Sequence, residues 1–187
     1  MTAEVYHVSK VPLEPNCVLD PRFIKAEFKY QFEAVDSAIG EPPEMRAAIL
    51  KSMLLSDIIQ NRGESILTFP VKETILERVR ANEFPERLSR YKAIFTSPTK
   101  QDAERFRELV KGSDDRPHLH RCIIDGKFFT GDLQYVSSPN PFAPMLKQIE
   151  YVIERARFYW DGKHDESPIL ECLAEPGTVT VVAAADW

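Results

Sequence analysis

The loop Arg87-Leu88-Ser89-Arg90 places two guanidinium groups around a hydroxyl. Guanidinium forks match phosphate oxygens in pairs, so the loop is a candidate grip for a diphosphate. Its plainer reading is a solvated linker with its cations facing water. Arg78 and Arg80, upstream in a helix-forming stretch, can add to the same positive field. His7 lies inside the apolar run Val5-Tyr6-His7-Val8 and is either a satisfied structural imidazole or a functional one. Glu171, flanked by Leu170, Cys172 and Leu173, is either an edge-strand charge or a carboxylate held at a cleft. His118 and His120 alternate along one strand face and could meet a metal together with Asp132; the competing reading is a solvated strand entry. Tyr91, Phe95, Tyr159 and Trp160 read as core or cleft-lining aromatics, one of which could stack on a flat ring.

Several common chemistries find no footing. The sequence contains no G-x-G-x-x-G, no G-x-x-x-x-G-K-S/T, no H-E-x-x-H and no G-x-S-x-G, and it has 7 glycines in all. Common nucleotide-binding folds, zinc hydrolases and serine hydrolases are therefore poor descriptions of it.

The candidate residues need elements to carry them. Residues 3 to 9 read as a strand ended by Ser9-Lys10 and Pro12, with His7 on one face and Tyr6 and Val8 on the other. A turn-rich loop follows from Asn16 to Pro21, and residues 22 to 35 are more helix than strand. Glu44 to Gln60 carries apolar residues at spacings of three and four, an amphipathic helix that Gly63 stops. Pro70 opens another helix to about Asn82, with Val71, Ile75, Leu76 and Val79 inward. Tyr91 to Thr96 is expected as a strand, and Ser97 or Thr99 as the cap of the next helix.

After a loop from Gly112 to Pro117, Leu119–Ile124 and Lys127–Thr130 flank Asp125-Gly126, a sequence suited to a tight β-hairpin. A helix is predicted from about Pro144 to Trp160, stopped by Asp161-Gly162. Pro168 to Cys172 reads as a short extended segment. Glu175-Pro176-Gly177 then leads into a strand over Thr178 to Ala184. With helices clustered early and antiparallel-type strands late, the pattern favours an α+β fold over a doubly wound sheet.

The chain has 187 residues, 43% hydrophobic and 28% charged, which fits a single ordered domain over residues 1–187. Its net charge of -5 argues against a surface wholly adapted to nucleic acid, although a local basic cleft is compatible with it. Cys17, Cys122 and Cys172 have neither the even count of a disulfide framework nor the spacing of a zinc module, so reduced thiols are expected. No run approaches the roughly 20 apolar residues of a membrane helix, and no basic segment followed by an apolar core opens the chain. The expectation is a cytoplasmic protein, or one exported without a cleavable leader, and no membrane partner.

Taken in order, His7 in the first strand, Arg80 with Phe84-Pro85-Glu86-Arg87-Leu88-Ser89-Arg90, Asp102-Ala103-Glu104-Arg105-Phe106 and Glu171 resemble a bacterial branch of the ADP-ribosyltransferase-like superfamily. Gly131-Asp132 and Tyr159-Trp160-Asp161-Gly162 add to the likeness. The resemblance implies a mainly antiparallel split sheet with helices packed around it, and NAD as co-substrate. It implies ADP-ribosyl transfer to a protein, nucleic acid or small-molecule acceptor, in a modifying enzyme, toxin or effector. By the same resemblance His7 would bond the nicotinamide-side ribose or the carboxamide, and Ser89 or Tyr91 would form the nicotinamide pocket. Arg80 and Arg90 would neutralise the pyrophosphate. Glu171 would bind a ribose hydroxyl and stabilise the charge that develops as the nicotinamide bond breaks, with no metal required. The second motif departs from both the Tyr-type and the Ser-Thr-Ser-type pattern, and Glu171 falls in a short segment. An inactive nucleotide-binding or protein-interaction domain of the same fold is the alternative, and a metal-dependent hydrolase using His118, His120 and Asp132 the third.

Overall fold

The computed structural model describes residues 1–20, 69–110, 117–137 and 145–185. The helices expected over residues 22 to 35 and 44 to 60 lie outside the described residues. The chain divides into two compact units. The first comprises Met1–Phe23, Glu86–Gln134 and Tyr159–Trp187, and the second Ile24–Pro85 and Tyr135–Phe158.

The first unit is built from two antiparallel three-stranded sheets. One has the order β1 (Thr2–Ser9), β3 (His118–Asp125), β6 (Val179–Ala184); the other has the order β2 (Ile94–Thr96), β5 (Leu170–Ala174), β4 (Phe128–Asp132). The sheets are joined where Tyr6 and Ser97 exchange backbone hydrogen bonds of 2.8 and 2.7 Å. The α+β class holds, as does the antiparallel pairing.

Alternation along the strands decides what each face buries. Val5, Cys122, Ile124, Val179 and Val181 of the first sheet meet Ile94, Cys172 and Ala174 of the second in one apolar cluster. Tyr6 and Val8 point away from it and pack with Ala103, Leu119 and Ala185. Ala103 belongs to helix α2 (Lys100–Val110), which Thr99 caps by accepting the Asp102 N–H at 3.1 Å. The first sheet therefore lies between the second sheet and a helix.

Two sequence expectations are corrected here. Asp125-Gly126 does not close a hairpin: β3 pairs with β1 and β6, whereas β4 pairs with β5. The turn's own amides are taken elsewhere, the Asp125 N–H by Thr178 O at 2.8 Å and the Gly126 N–H by Met1 O at 3.3 Å. Nor does β2 begin at Tyr91. The Ser89 carbonyl accepts the N–H groups of Lys92 and Ala93, both at 3.0 Å, so residues 89–93 form a turn and the strand starts at Ile94.

In the second unit the described residues include helix α1 (Phe69–Glu83) and helix α3 (Met145–Asp161) up to Phe158; the last residues of α3, Tyr159 to Asp161, belong to the first unit. On the exposed side Arg157 grips Glu83 with Nε at 2.8 Å and Nη2 at 2.8 Å, a bidentate pair between α1 and α3. Among the described residues no helix is long and apolar enough to cross a membrane.

The three thiols are free, and burial governs two of them. Desolvation pushes Cys122 from its ordinary 9.0 up to about 12 and Cys172 up to about 11. An acid with a raised folded pKa leaves stability intact below the unfolded value and erodes it above, because the unfolded chain releases its proton first. Stability should therefore fall as pH climbs from 9 through about 11 for Cys172 and about 12 for Cys122. At pH 8 iodoacetamide should alkylate the half-buried Cys17 alone, with Cys122 and Cys172 reacting only in denaturant. Native labelling of Cys122, read by peptide mass, would contradict this.

Candidate functional site

Sheet register gathers one set of residues on the outer face of the second sheet. Gly131 sits opposite Glu171, and Phe129 and Phe95 both sit opposite Leu173, so all five share that face, away from the inner cluster of Cys172 and Ala174. The final turn of α3 brings Tyr159 and Trp160 against it. Phe129 meets Tyr159 edge-on at 5.6 Å between centroids and stacks on Trp160 at 5.4 Å.

Three polar groups are closed in among these rings. Glu171, on the central strand β5, is 4% exposed, as is Arg90, and Tyr159 is 0% exposed. Arg90 Nη1 donates to Glu171 Oε1 and, at 2.7 Å, to the Tyr159 hydroxyl; that hydroxyl donates to the same Glu171 oxygen at 2.6 Å. The Arg90 guanidinium also lies 4.9 Å from the Phe95 ring centre and 5.2 Å from that of Tyr159. A carboxylate and a guanidinium this deeply buried are tolerable only as partners, since each alone would carry most of its desolvation penalty.

Glu171 also reaches a narrow cleft lined by Tyr6, Val8, Phe95, Thr96, Ser97 and Phe106. The cleft holds ≈ 10 Å³ of space for a water molecule's centre, about what a single water requires. It lies where the two sheets meet, beside the Tyr6–Ser97 bridge.

The residues singled out from the sequence are distributed as follows. Arg90 and Glu171 are in direct contact. His7 is on the opposite face of β1 from the cleft-lining Tyr6 and Val8; its Nδ1 donates to Phe95 O at 2.8 Å, which places the proton on that nitrogen. It is thus one backbone carbonyl away from a ring that covers Arg90. Ser89 Oγ accepts the Tyr91 N–H at 3.3 Å and shapes the turn that delivers Arg90. Arg80 belongs to the second unit, where Nε and Nη2 engage Glu77 at 3.1 and 2.9 Å and Nη1 donates to Pro85 O at 3.4 Å.

The metal reading is corrected. Asp132 is fully buried and its oxygens accept the backbone N–H groups of Gln134, Asp165 and Ile169 at 3.0, 2.8 and 3.0 Å. His120 Nε2 bonds Ser9 Oγ at 3.0 Å, and Ser9 gives its own proton to Val11 O, so the imidazole is the donor. Among the described residues no group of three His, Cys, Asp or Glu could hold a metal.

Two carboxylates hold the approach to Glu171 in a role the sequence did not suggest for either. Asp132 accepts the Ile169 N–H, and Asp102 on α2 accepts the Leu170 N–H at 3.2 Å. Asp102 carried a sequence signal, because it follows Thr99 at capping distance. Tyr159 was legible as a core or cleft-lining aromatic within Tyr159-Trp160-Asp161-Gly162, and nothing pointed to its contact with Glu171.

A family model described as "Protein of unknown function (DUF2441)" matches residues 14–186, so the chain belongs to that family. No curated protein matches it.

Proposed function

For this member of a family of unknown function, we propose NAD-dependent ADP-ribosyl transfer, with Glu171 as the charge-stabilising carboxylate. One observation carries the reading: a single carboxylate, 4% exposed, on the central strand of the second of two linked antiparallel sheets, at the wall of the cleft where they join. That setting suits the charge of the reaction. When the bond between ribose and nicotinamide breaks, nicotinamide leaves with the electron pair and the sugar carbon becomes cationic. A fixed carboxylate in a water-poor site stabilises that cation more than it would in water. The acceptor's nucleophile then forms the new bond to the same carbon and releases its proton.

In this reading the surrounding residues take roles other than those the resemblance implies. Arg90 is committed to Glu171, so here it holds the carboxylate in place instead of meeting phosphate. His7, joined to the Phe95 backbone, fixes β1 against β2 beside the cleft. As closed, the cleft is too small for a dinucleotide, so this reading requires its lining side chains to move before NAD enters.

The neutralising Arg90 favours one second reading, a nucleotide-binding domain of this fold without catalysis. Calorimetric titration with NAD, followed by chromatography of released nicotinamide, separates the two. Under the first reading Glu171→Gln lowers release by about 10²–10³-fold while the protein stays folded. Binding without release by the wild type supports the second. Neither heat nor nicotinamide at high enzyme concentration removes both.

A further inference from the structure

The register places Gly131 directly opposite Glu171, on the one position of that row that carries no side chain. A Cβ built there would lie 2.4 Å from Tyr159 Cε2, 2.5 Å from Cζ and 2.9 Å from the phenol oxygen. Those separations are far inside van der Waals contact. The positive-φ glycines among the described residues are Gly162 and Gly177, so Gly131 is required for room and not for an unusual backbone angle.

We infer that Gly131 and Tyr159 form a seat for the Glu171 carboxylate: the bare α-carbon lets the phenol cross over β4 and donate to Oε1, making Tyr159 the positioning residue of that group. The ring is fixed independently of the hydroxyl, by Phe129 at its edge and by Trp160 at 4.8 Å and 87°. Because Arg90 and Tyr159 converge on one carboxylate oxygen, the carboxyl plane cannot rotate freely. Burial, reinforced by the Glu171 charge and opposed by that of Arg90, raises the Tyr159 phenol well above its usual 10.0, so it remains a protonated donor across the working range. The inference deepens the transferase reading and rests on it only for its kinetic consequence.

The test follows the ¹³C carboxyl signal of Glu171 in wild type, Tyr159→Phe and Gly131→Ala, with Tyr135→Phe, a tyrosine with no hydrogen bond to Glu171, as a control. Tyr159→Phe keeps the ring and removes the donor. Its Glu171 signal should move at pH 7, and its titration midpoint should rise by about one unit, tenfold in the ionisation constant, because a hydrogen bond to the charged form has been lost. Gly131→Ala should reproduce the movement by displacing the ring, and Tyr135→Phe should not. An unchanged Glu171 signal in Tyr159→Phe overturns the inference whatever Gly131→Ala does, and a folded Gly131→Ala with a wild-type signal overturns the glycine's part. If the wild type releases nicotinamide, Tyr159→Phe should lower kcat about tenfold with little change in KM. If the wild type releases none, the transferase reading falls and the carboxyl signal still decides the seat.

Discussion

Arg90→Met should destabilise the protein by about 3–5 kcal/mol, because it leaves the Glu171 carboxylate buried without its cation. Glu171→Leu should cost a similar amount by stranding the guanidinium. The informative result is the combination. Arg90, Tyr159 and Glu171 are hydrogen-bonded to one another while buried, so removing all three polar ends together also removes much of their desolvation cost. Arg90→Met/Tyr159→Phe/Glu171→Leu should therefore regain most of the loss and unfold within about 1–2 kcal/mol of wild type. Urea denaturation of the set measures this directly. A single Arg90→Met costing under about 1 kcal/mol would show that the pair is not buried in solution as it is here. The triple variant also separates stability from chemistry, since a stable protein lacking Glu171 should release no nicotinamide.

Asp132→Ala is the second large effect. Three backbone N–H groups, from Gln134, Asp165 and Ile169, end on this one buried carboxylate. Each donor stranded without an acceptor costs about 1–3 kcal/mol, less whatever water can recover at the exposed Asp165 and the half-buried Gln134 and Ile169, so a net loss of about 3–5 kcal/mol is expected. Asp132→Asn should lose less, since its single carbonyl oxygen can keep the Gln134 and Ile169 bonds. Thermal unfolding supplies the magnitude. Hydrogen exchange supplies the location, with faster exchange at residues 134, 165 and 169 in the alanine variant. A loss below about 1 kcal/mol, or unchanged exchange at those amides, would contradict the bracket. Because Ile169 precedes Glu171 by two residues, loosening it should also disturb the Glu171 carboxyl signal without touching any group that contacts it.

Local pattern was enough for most of the described elements and not for their partners. The strand read over residues 3 to 9 is Thr2–Ser9, the helix read from Pro70 to about Asn82 is Phe69–Glu83, and the helix read from about Pro144 to Trp160 is Met145–Asp161. Each rests on periodicity, capping or a breaker within one segment, which are properties of neighbouring residues. Asp125-Gly126 was misread for the opposite reason. Its letters suit a two-residue turn, but the strands on either side belong to different sheets, and its amides bond Thr178 and Met1 instead of each other's strand. The candidate site shows the same division. Arg90 and Glu171 were legible as a cation and a carboxylate in unusual surroundings. Their contact was not, because they are 81 positions apart and meet through the turn at Ser89 and the central place of β5.

What the sequence determined by itself is the supply of groups and the elements that carry them: an imidazole on the first strand, an Arg/Ser turn, a carboxylate in a late apolar run, and an α+β alternation of strands and helices. The tertiary structure alone decided which of those groups share a face, that Tyr159 joins Arg90 and Glu171, and that Asp132 serves backbone amides instead of a metal. The reason is physical. Secondary structure follows from interactions a few residues apart, whereas strand order and the pairing of buried charges depend on long-range burial. In this chain that burial brings the Tyr159 phenol against the bare Gly131 backbone, where Arg90 and Glu171 meet.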